Sequence, residues 1–374
     1  MSLDLSLTKE EDILRQTTHD FMNREIDKGT LESLLASDTG DTEAIRKKVS
    51  DIGWFGIVVP EQYGGIGYPL TSAGVLFEAL GSRPLPGPYF TSGILCSQIL
   101  MASKDEDLKS RLLPSVADGT RILTLALSEA DGSWNPKRVE TTAHPVNGSF
   151  RISGTKLVVY DAMAATDFVV AARTDNGLSL FLSDANADGI AMKRLPGFLN
   201  GRAFVVTFNN VLLDSAALIG ELDSGSAILD AATCKAVPVL CAYKVGGCQS
   251  VVDMALEYSR KRIQFGQPIG RFQRVQDMII EMVNQTDAAR WTTYEALWKL
   301  DTGRHLGESV HLAKAIASEA YWQVCTIGHR VFSGISYSME HPLSYHTRTS
   351  RYLYHYLGDP GYHRQKIAQL LIDG

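Results

Sequence analysis

The chain has 374 residues, 45% apolar and 21% charged, which suits a folded protein of two or three domains and excludes a disordered one. Its net charge of −6 gives no overall attraction to nucleic acid or to an anionic membrane. No apolar run reaches the roughly 18–20 residues that span a bilayer, and Met1-Ser2-Leu3-Asp4 lacks the basic-then-apolar pattern of a secretory leader, so a cytoplasmic protein with no membrane span is expected. The five cysteines have neither metal-ligand spacing nor a disulfide framework. Cys234, Cys241 and Cys248 recur seven apart, the spacing of small buried residues on one helix face.

Residues 1–120 read as helices. Thr8-Lys9-Glu10-Glu11 is a capping box, and Ile45, Val49 and Ile52 mark the inner face of a helix that Gly53 stops. The glycine-rich stretch from Tyr63 to Gly67 lacks the strand–glycine–helix context of a dinucleotide fingerprint and reads as an irregular turn. Residues 121–221 read as strands. Leu123 to Leu127 lie in a short apolar run, Phe150 to Ser153 alternate behind the turn Asn147-Gly148, and the runs starting at Phe168, Leu178 and Phe204 end in Asp, Asn or Gly turns. That density of short strands predicts a β barrel or sandwich. Residues 222–374 return to the helical period, with three long segments near 225–262, 273–302 and 306–331 that suit an antiparallel four-helix bundle. The fold class expected is therefore α+β, in the order helical, β, helical.

The most informative stretch runs from Arg260 to Gln273. It ends one helix and starts another, with Gly266, Pro268 and Gly270 between them and Arg260, Arg262 and Phe265 on the turn. Arginine gives bidentate contacts to a pyrophosphate and stacks on rings, so the corner suits an anionic, flat, aromatic ligand. A basic helix end that complements its own dipole has the same composition.

The wording Arg-x-x-Phe-Gly-x-x-Ile-x-x-Phe-Gln, here Arg262, Phe265, Gly266, Ile269, Phe272 and Gln273, resembles the FAD-contacting signature of the acyl-CoA dehydrogenase family. Three more segments resemble that family in the right order. They are Gly53-Trp54-Phe55-Gly56 with Pro60 to Gly67, the loop Leu127-Ser128-Glu129-Ala130-Asp131-Gly132-Ser133, and Gly154-Thr155-Lys156 with Asp161-Ala162. The resemblance implies an FAD enzyme that desaturates an acyl-CoA thioester at its α,β bond and hands electrons to an electron-transfer acceptor. It implies that the flavin lies between the β domain and the bundle and touches a neighbouring subunit. The cofactor residues it implies are Arg262, Phe265, Ile269, Phe272, Gln273, Leu127, Ser128, Gly132, Ser133, Val158, Tyr160, Arg330 and Gly334.

Several positions depart from the family. Its catalytic glutamate stands either in a Tyr-Glu-Gly sequence, here Tyr356-Leu357-Gly358, or on the helix before the Arg262 motif, here Ala236. Both positions lack a carboxylate. Arg330 replaces a glutamine ahead of a Gly-Gly-x-Gly loop that here reads Ser333-Gly334-Ile335-Ser336. Val158-Val159-Tyr160 replaces a Trp-x-Thr that packs on the flavin ring. The ending from Gly358 to Arg364 resembles a subgroup from bacterial steroid and other bulky acyl-CoA degradation, a branch of lipid metabolism. Its members often form heterotetramers of two related chains.

The expected partners are thus an acyl-CoA, an electron acceptor, and a second copy or a related chain in a dimer or tetramer. Asp359 is the nearest alternative base, although its place before Pro360 suits a helix stop. Glu340 and Glu129 read as structural, Asp253 and Glu257 as a solvent-facing pair one turn apart, and the tail histidines as a mixture of core and surface. Two further functions remain open: a base-less subunit that completes a partner's site, and a flavin oxidase or monooxygenase on the same fold.

Overall fold

The computed structural model describes residues 6–196 and 202–373. Contacts divide the chain into two compact units. A helical unit comprises residues 1–27, 70–85 and 237–374, and a sheet-containing unit comprises residues 28–69 and 86–236. The three expected segments, 1–120, 121–221 and 222–374, follow secondary-structure type along the chain; the two units cut across them.

Among the described residues six α-helices precede the sheet: α1 Lys9–Glu25, α2 Lys28–Ala36, α3 Glu43–Ile52, α4 Leu70–Gly81, α5 Ser97–Ala102 and α6 Glu106–Ala117. The capping box is present. Thr8 Oγ1 accepts from Glu11 N at 3.2 Å, and Glu11 Oε2 accepts from Thr8 N at 2.9 Å. Thr42 caps α3, and Gly53 ends it in the left-handed conformation at φ +85°.

The strands are β1 Leu123–Ala126, β2 Thr142–Val146, β3 Ser149–Tyr160, β4 Asp167–Arg173, β5 Leu178–Asp184, β6 Ile190–Arg194, β7 Ala203–Leu213 and β8 Leu218–Ile219. They form one eight-stranded mixed sheet in the order β6-β7-β3-β2-β4-β5-β8, with β1 parallel to β4. Asn147 and Gly148 both have positive φ and close the β2–β3 hairpin, the geometry that Asn-Gly favours. One face packs Ile152, Phe168, Phe181, Phe204 and Phe208 into a common core. The β3–β7 ladder slips twice, and the second slip, between Lys156 and Val159, brackets Val158 at φ +56°.

The remaining helices are α7 Gly225–Lys261, α8 Gln273–Asp301, α9 Ser309–Phe332, α10 Pro342–Tyr354 and α11 Pro360–Asp373. The first three match the expected long segments. Contrary to the expectation from the sequence, α7 is long and apolar enough to cross a bilayer, but 61% of that apolar stretch is buried within the protein, as in a core helix. The boundary between the units falls inside α7, beside Pro238. Within the helical unit α4 and α7 touch backbone to backbone. A Cβ at Gly81 would lie 1.9 Å from the Tyr243 carbonyl oxygen, and one at Gly246 would lie 1.8 Å from the Glu78 carbonyl oxygen.

Candidate functional site

In the sheet-containing unit, β1 runs into the loop Leu127–Ser133. Leu127 and Ser128 are buried, and Ser128 O accepts from Leu157 N at 2.8 Å. Glu129 holds the loop from within. Its carboxylate accepts from Glu140 N at 2.6 Å, Thr141 N at 2.9 Å, Thr141 Oγ1 at 2.7 Å and Lys156 Nζ at 2.7 Å. Burial alone would raise the Glu129 carboxyl, but the bonds from Lys156 and Thr141 hold it below its ordinary value. Burial pushes the partner Lys156 down to about 8, against the pull of Glu129. Glu129 is therefore a structural anchor, as the sequence suggested.

The outer half of this loop is open. Gly132 sits at φ +67°, where an added Cβ would meet nothing. Asp131 accepts from Ser133 N at 2.9 Å and pairs with Arg138 at 3.2 Å. Ser133 Oγ accepts from Asn135 N at 3.0 Å, which leaves its O–H to donate. The Ser128 hydroxyl is buried and has no hydrogen-bond partner among the described residues. A buried polar atom of that kind is rare unless a ligand or water completes it. Sequence reasoning named Ser128 but gave no sign of its unmet bond.

Val158 is half-buried at the β3 slip, and Tyr160 is buried with its ring 6.3 Å from that of Trp134. Burial and the neighbouring Asp161 charge push the Tyr160 phenol up, so it stays protonated. Asp161 in turn pairs with Arg202 at 3.2 Å and accepts from Thr91 Oγ1 at 3.1 Å.

In the helical unit, α7 ends at Lys261 and the chain makes a two-stranded hairpin of β9 Ile263–Gln264 and β10 Gln267–Pro268. Phe265 at φ +52° and Gly266 at φ +79° form its tip. Ile269 N donates to Arg262 O at 2.8 Å, which draws Arg262 and Ile269 together. The Arg262 and Gln273 side chains are exposed, Ile269 and Phe272 are half-buried, and Phe265 is 93% exposed with its ring edge 6.1 Å from Phe272. An open groove of about 550 Å³ beside this turn is lined by Leu256, Ser259, Arg260, Pro268, Gly270 and Arg271 among others. Arg330 near the end of α9 and Gly334 just beyond it are both exposed.

Neither expected base position offers a carboxylate. Ala236 is fully buried within α7. Leu357 is buried at φ +57°, followed by Gly358 at φ +99°. The expectation that Asp359 stops a helix is corrected: it starts one. Its Oδ1 accepts from Tyr362 N at 2.7 Å, and Pro360 occupies the first turn of α11, where a missing N–H removes no helical bond. Its Oδ2 lies 3.8 Å from His355 Nδ1. Glu340 is exposed, Asp253 accepts from Gln249 Nε2 at 2.9 Å, and Glu257 pairs with Lys261.

Models of the acyl-CoA dehydrogenase N-terminal and C-terminal domains match residues 8–120 and 236–372. The chain belongs to the acyl-CoA dehydrogenase family. Among curated relatives of this acyl-CoA dehydrogenase family member, glutaryl-CoA dehydrogenase of Desulfococcus multivorans is 28% identical over 359 residues, 91% of each chain. Among solved structures, a glutaryl-CoA dehydrogenase–glutaryl-CoA complex superposes with a TM-score of 0.91 at 26% identity, covering 99% of this chain and 97% of that one. A variant of the Tcur3481-Tcur3483 steroid ACAD superposes with a TM-score of 0.87 at 25% identity and covers 98% of both chains.

The family is one of flavoprotein oxidoreductases whose cofactor is FAD, and the residues present fit that group. Ser128 has an unmet buried hydroxyl, Ser133 a free O–H, Gly132 an unobstructed backbone and Arg262 an exposed cation. Val158 and Tyr160 stand where the family resemblance implied an aromatic cover and a small hydroxyl.

Proposed function

We propose that this chain takes part in FAD-dependent α,β-dehydrogenation of an acyl-CoA thioester as one subunit of a larger assembly, and that a related chain supplies the base. The observation that carries the reading is the unmet buried hydroxyl of Ser128 in loop 127–133 of a chain whose two positions matched to the family's base are the buried, apolar Leu357 and Ala236. Bound FAD supplies the acceptor for the hydride that leaves the β-carbon. On the sheet-containing unit Ser133 and Ser128 would offer hydroxyls to the cofactor's polar atoms, with Glu129 and Lys156 keeping that loop in shape; on the helical unit Arg262 is an exposed cation suited to an anionic group. Leu357 is buried and apolar. It cannot accept the α-proton, so that proton passes to a carboxylate from outside this chain. The pairing of two named chains in the Tcur3481-Tcur3483 steroid ACAD supports a heteromer and a bulky acyl group.

The test is purification of this chain alone and with a related chain, counting flavin per chain and following reduction of an artificial electron acceptor by a panel of acyl-CoA thioesters. The reading expects turnover from the pair and, without the base, a loss of about 10²–10⁴-fold from the single chain. Equal turnover by the single chain overturns it. A colourless single chain that gains flavin only with its partner supports a second reading, in which this subunit completes a partner's site; the empty base positions favour that reading equally.

A further inference from the structure

The helical unit buries two lysines that the family reading leaves unused. Lys244 on α7 and Lys314 on α9 expose no surface. Lys244 Nζ lies 2.7 Å from Ser318 Oγ, and Lys314 Nζ lies 3.1 Å from the same oxygen. Lys314 also donates to the Gly358 carbonyl at 2.6 Å and more weakly to that of Tyr354 at 3.4 Å. The titratable groups facing the pair are Cys241 and Cys248 on α7, Asp359 and His363 at the start of α11, and His311 beside His363. Asp359 is engaged in capping α11, and among the described residues no carboxylate hydrogen-bonds either amine.

Two ammonium ions on one hydroxyl in a dry core repel each other, and burial opposes the charge of each. Burial lowers Lys244 to about 8, and burial together with the charge of Lys244 lowers Lys314 well below its ordinary value. Each amine therefore holds its proton less tightly than a free lysine does. Beside it the backbone is held in an uncommon form. Leu357 and Gly358 are both left-handed, a conformation that strains a leucine. Both of their carbonyls are gripped from the core, Gly358 O by Lys314 and Leu357 O by His363 Nε2 at 2.9 Å. A carbonyl only accepts, so the His363 proton sits on Nε2, and His363 Nδ1 accepts from His311 Nδ1 at 2.9 Å.

We infer that Lys314 is the positioning residue of residue 357: its bond to the Gly358 carbonyl, backed by Lys244 through Ser318, fixes the left-handed backbone that presents the 357 side chain. The inference deepens the proposed function, since position 357 is where the family's base would stand, and it rests on that reading for its catalytic meaning.

Hydrogen exchange of amides in 355–363, measured on the full chain with FAD between pH 6 and 9 and corrected for intrinsic rates, tests the grip. Lys314→Met should lower protection about tenfold at every pH. Wild-type protection should fall as pH is lowered, because burial lowers both amines and protonating them opposes the packed form. Lys244→Met should lower the protection less than Lys314→Met does and should weaken that pH dependence, since it removes the neighbouring charge but not the burial of Lys314; a purely structural role would not change the pH profile. Unchanged protection in a folded Lys314→Met variant, or identical pH profiles for wild type and Lys244→Met, overturns the inference. If Lys314→Met does not fold, Ser318→Ala replaces it: loss of the wild-type pH dependence supports the relay and its retention overturns it. In a Leu357→Glu background that gains turnover with acyl-CoA, adding Lys244→Met should raise the apparent pKa of the new acid, and no shift counts against the coupling. Absence of turnover in Leu357→Glu would count against the reading of position 357, while the exchange data still decide the role of Lys314.

Discussion

The two segments proposed to carry the cofactor residues are built in opposite ways. The loop 127–133 is folded around an internal ion pair, with the Glu129 carboxylate taking four hydrogen bonds inside the sheet-containing unit. The Arg262 turn is an exposed hairpin whose tip, Phe265, is almost wholly in solvent. The first is preorganised by folding and needs no ligand to hold its shape. The second has few bonds of its own, so a ligand or subunit that binds there would also have to order it. Substitutions that break the internal ion pair of the first should therefore change both stability and flavin binding, and substitutions in the second should change binding or assembly alone.

The largest effect is expected from Glu129→Ala, which leaves Lys156 buried without its partner. Denaturant unfolding should show a loss of about 3–5 kcal/mol, with flavin retention falling in parallel. The pH dependence has a definite sign. Glu129 is held below its ordinary value in the folded state, so it contributes stability above that value and loses it as pH falls through the lower, folded one. Acid titration of Glu129→Gln should lack this component; an unchanged acid limb would show that Lys156 does not pair with it. Arg262→Ala comes next. It should weaken FAD binding by roughly ten- to hundred-fold, about 1.5–3 kcal/mol, and leave the unfolding curve of the flavin-free protein in place. A matching loss of stability would erase the contrast between the two segments.

Ser128→Ala sharpens the comparison from the other side. Removing a buried hydroxyl that has no partner should leave the flavin-free protein as stable or more so, while FAD affinity drops about fivefold. Calorimetric titration with FAD distinguishes this from a merely structural serine. The smallest effect on folding belongs to Phe265→Ser. Its exposed ring contributes nothing measurable to the fold of one chain, but light scattering should show weaker association than in the wild type, which is expected to exceed 41.0 kDa.

Much of this was legible in the sequence wherever a local rule acts alone. The Thr8 capping box, the Asn147-Gly148 hairpin and the three long helices follow from side-chain chemistry within a few residues. The Asp359-Pro360 pair was misread because the same dipeptide ends one helix and starts the next. Asp as a cap and Pro in the first turn is a start signal, and only the direction of the following amides decides between the two. Lys244 and Lys314 gave no signal at all. A lysine inside an apolar period reads as a surface position, and its burial depends on carbonyls and a hydroxyl supplied from elsewhere in the bundle. The six-residue π turn Thr91–Cys96 was equally silent, since no composition rule marks a single extra residue in a helix.

The crossing of α4 and α7 at Gly81 and Gly246 works as a keyed joint. Each glycine admits the carbonyl of the other helix into the space that a side chain would fill, so neither helix can slide or roll without driving backbone into backbone. Any displacement that carries α7 must carry α4 with it. A helix that arrives early in the chain is thereby mechanically a member of the C-terminal bundle.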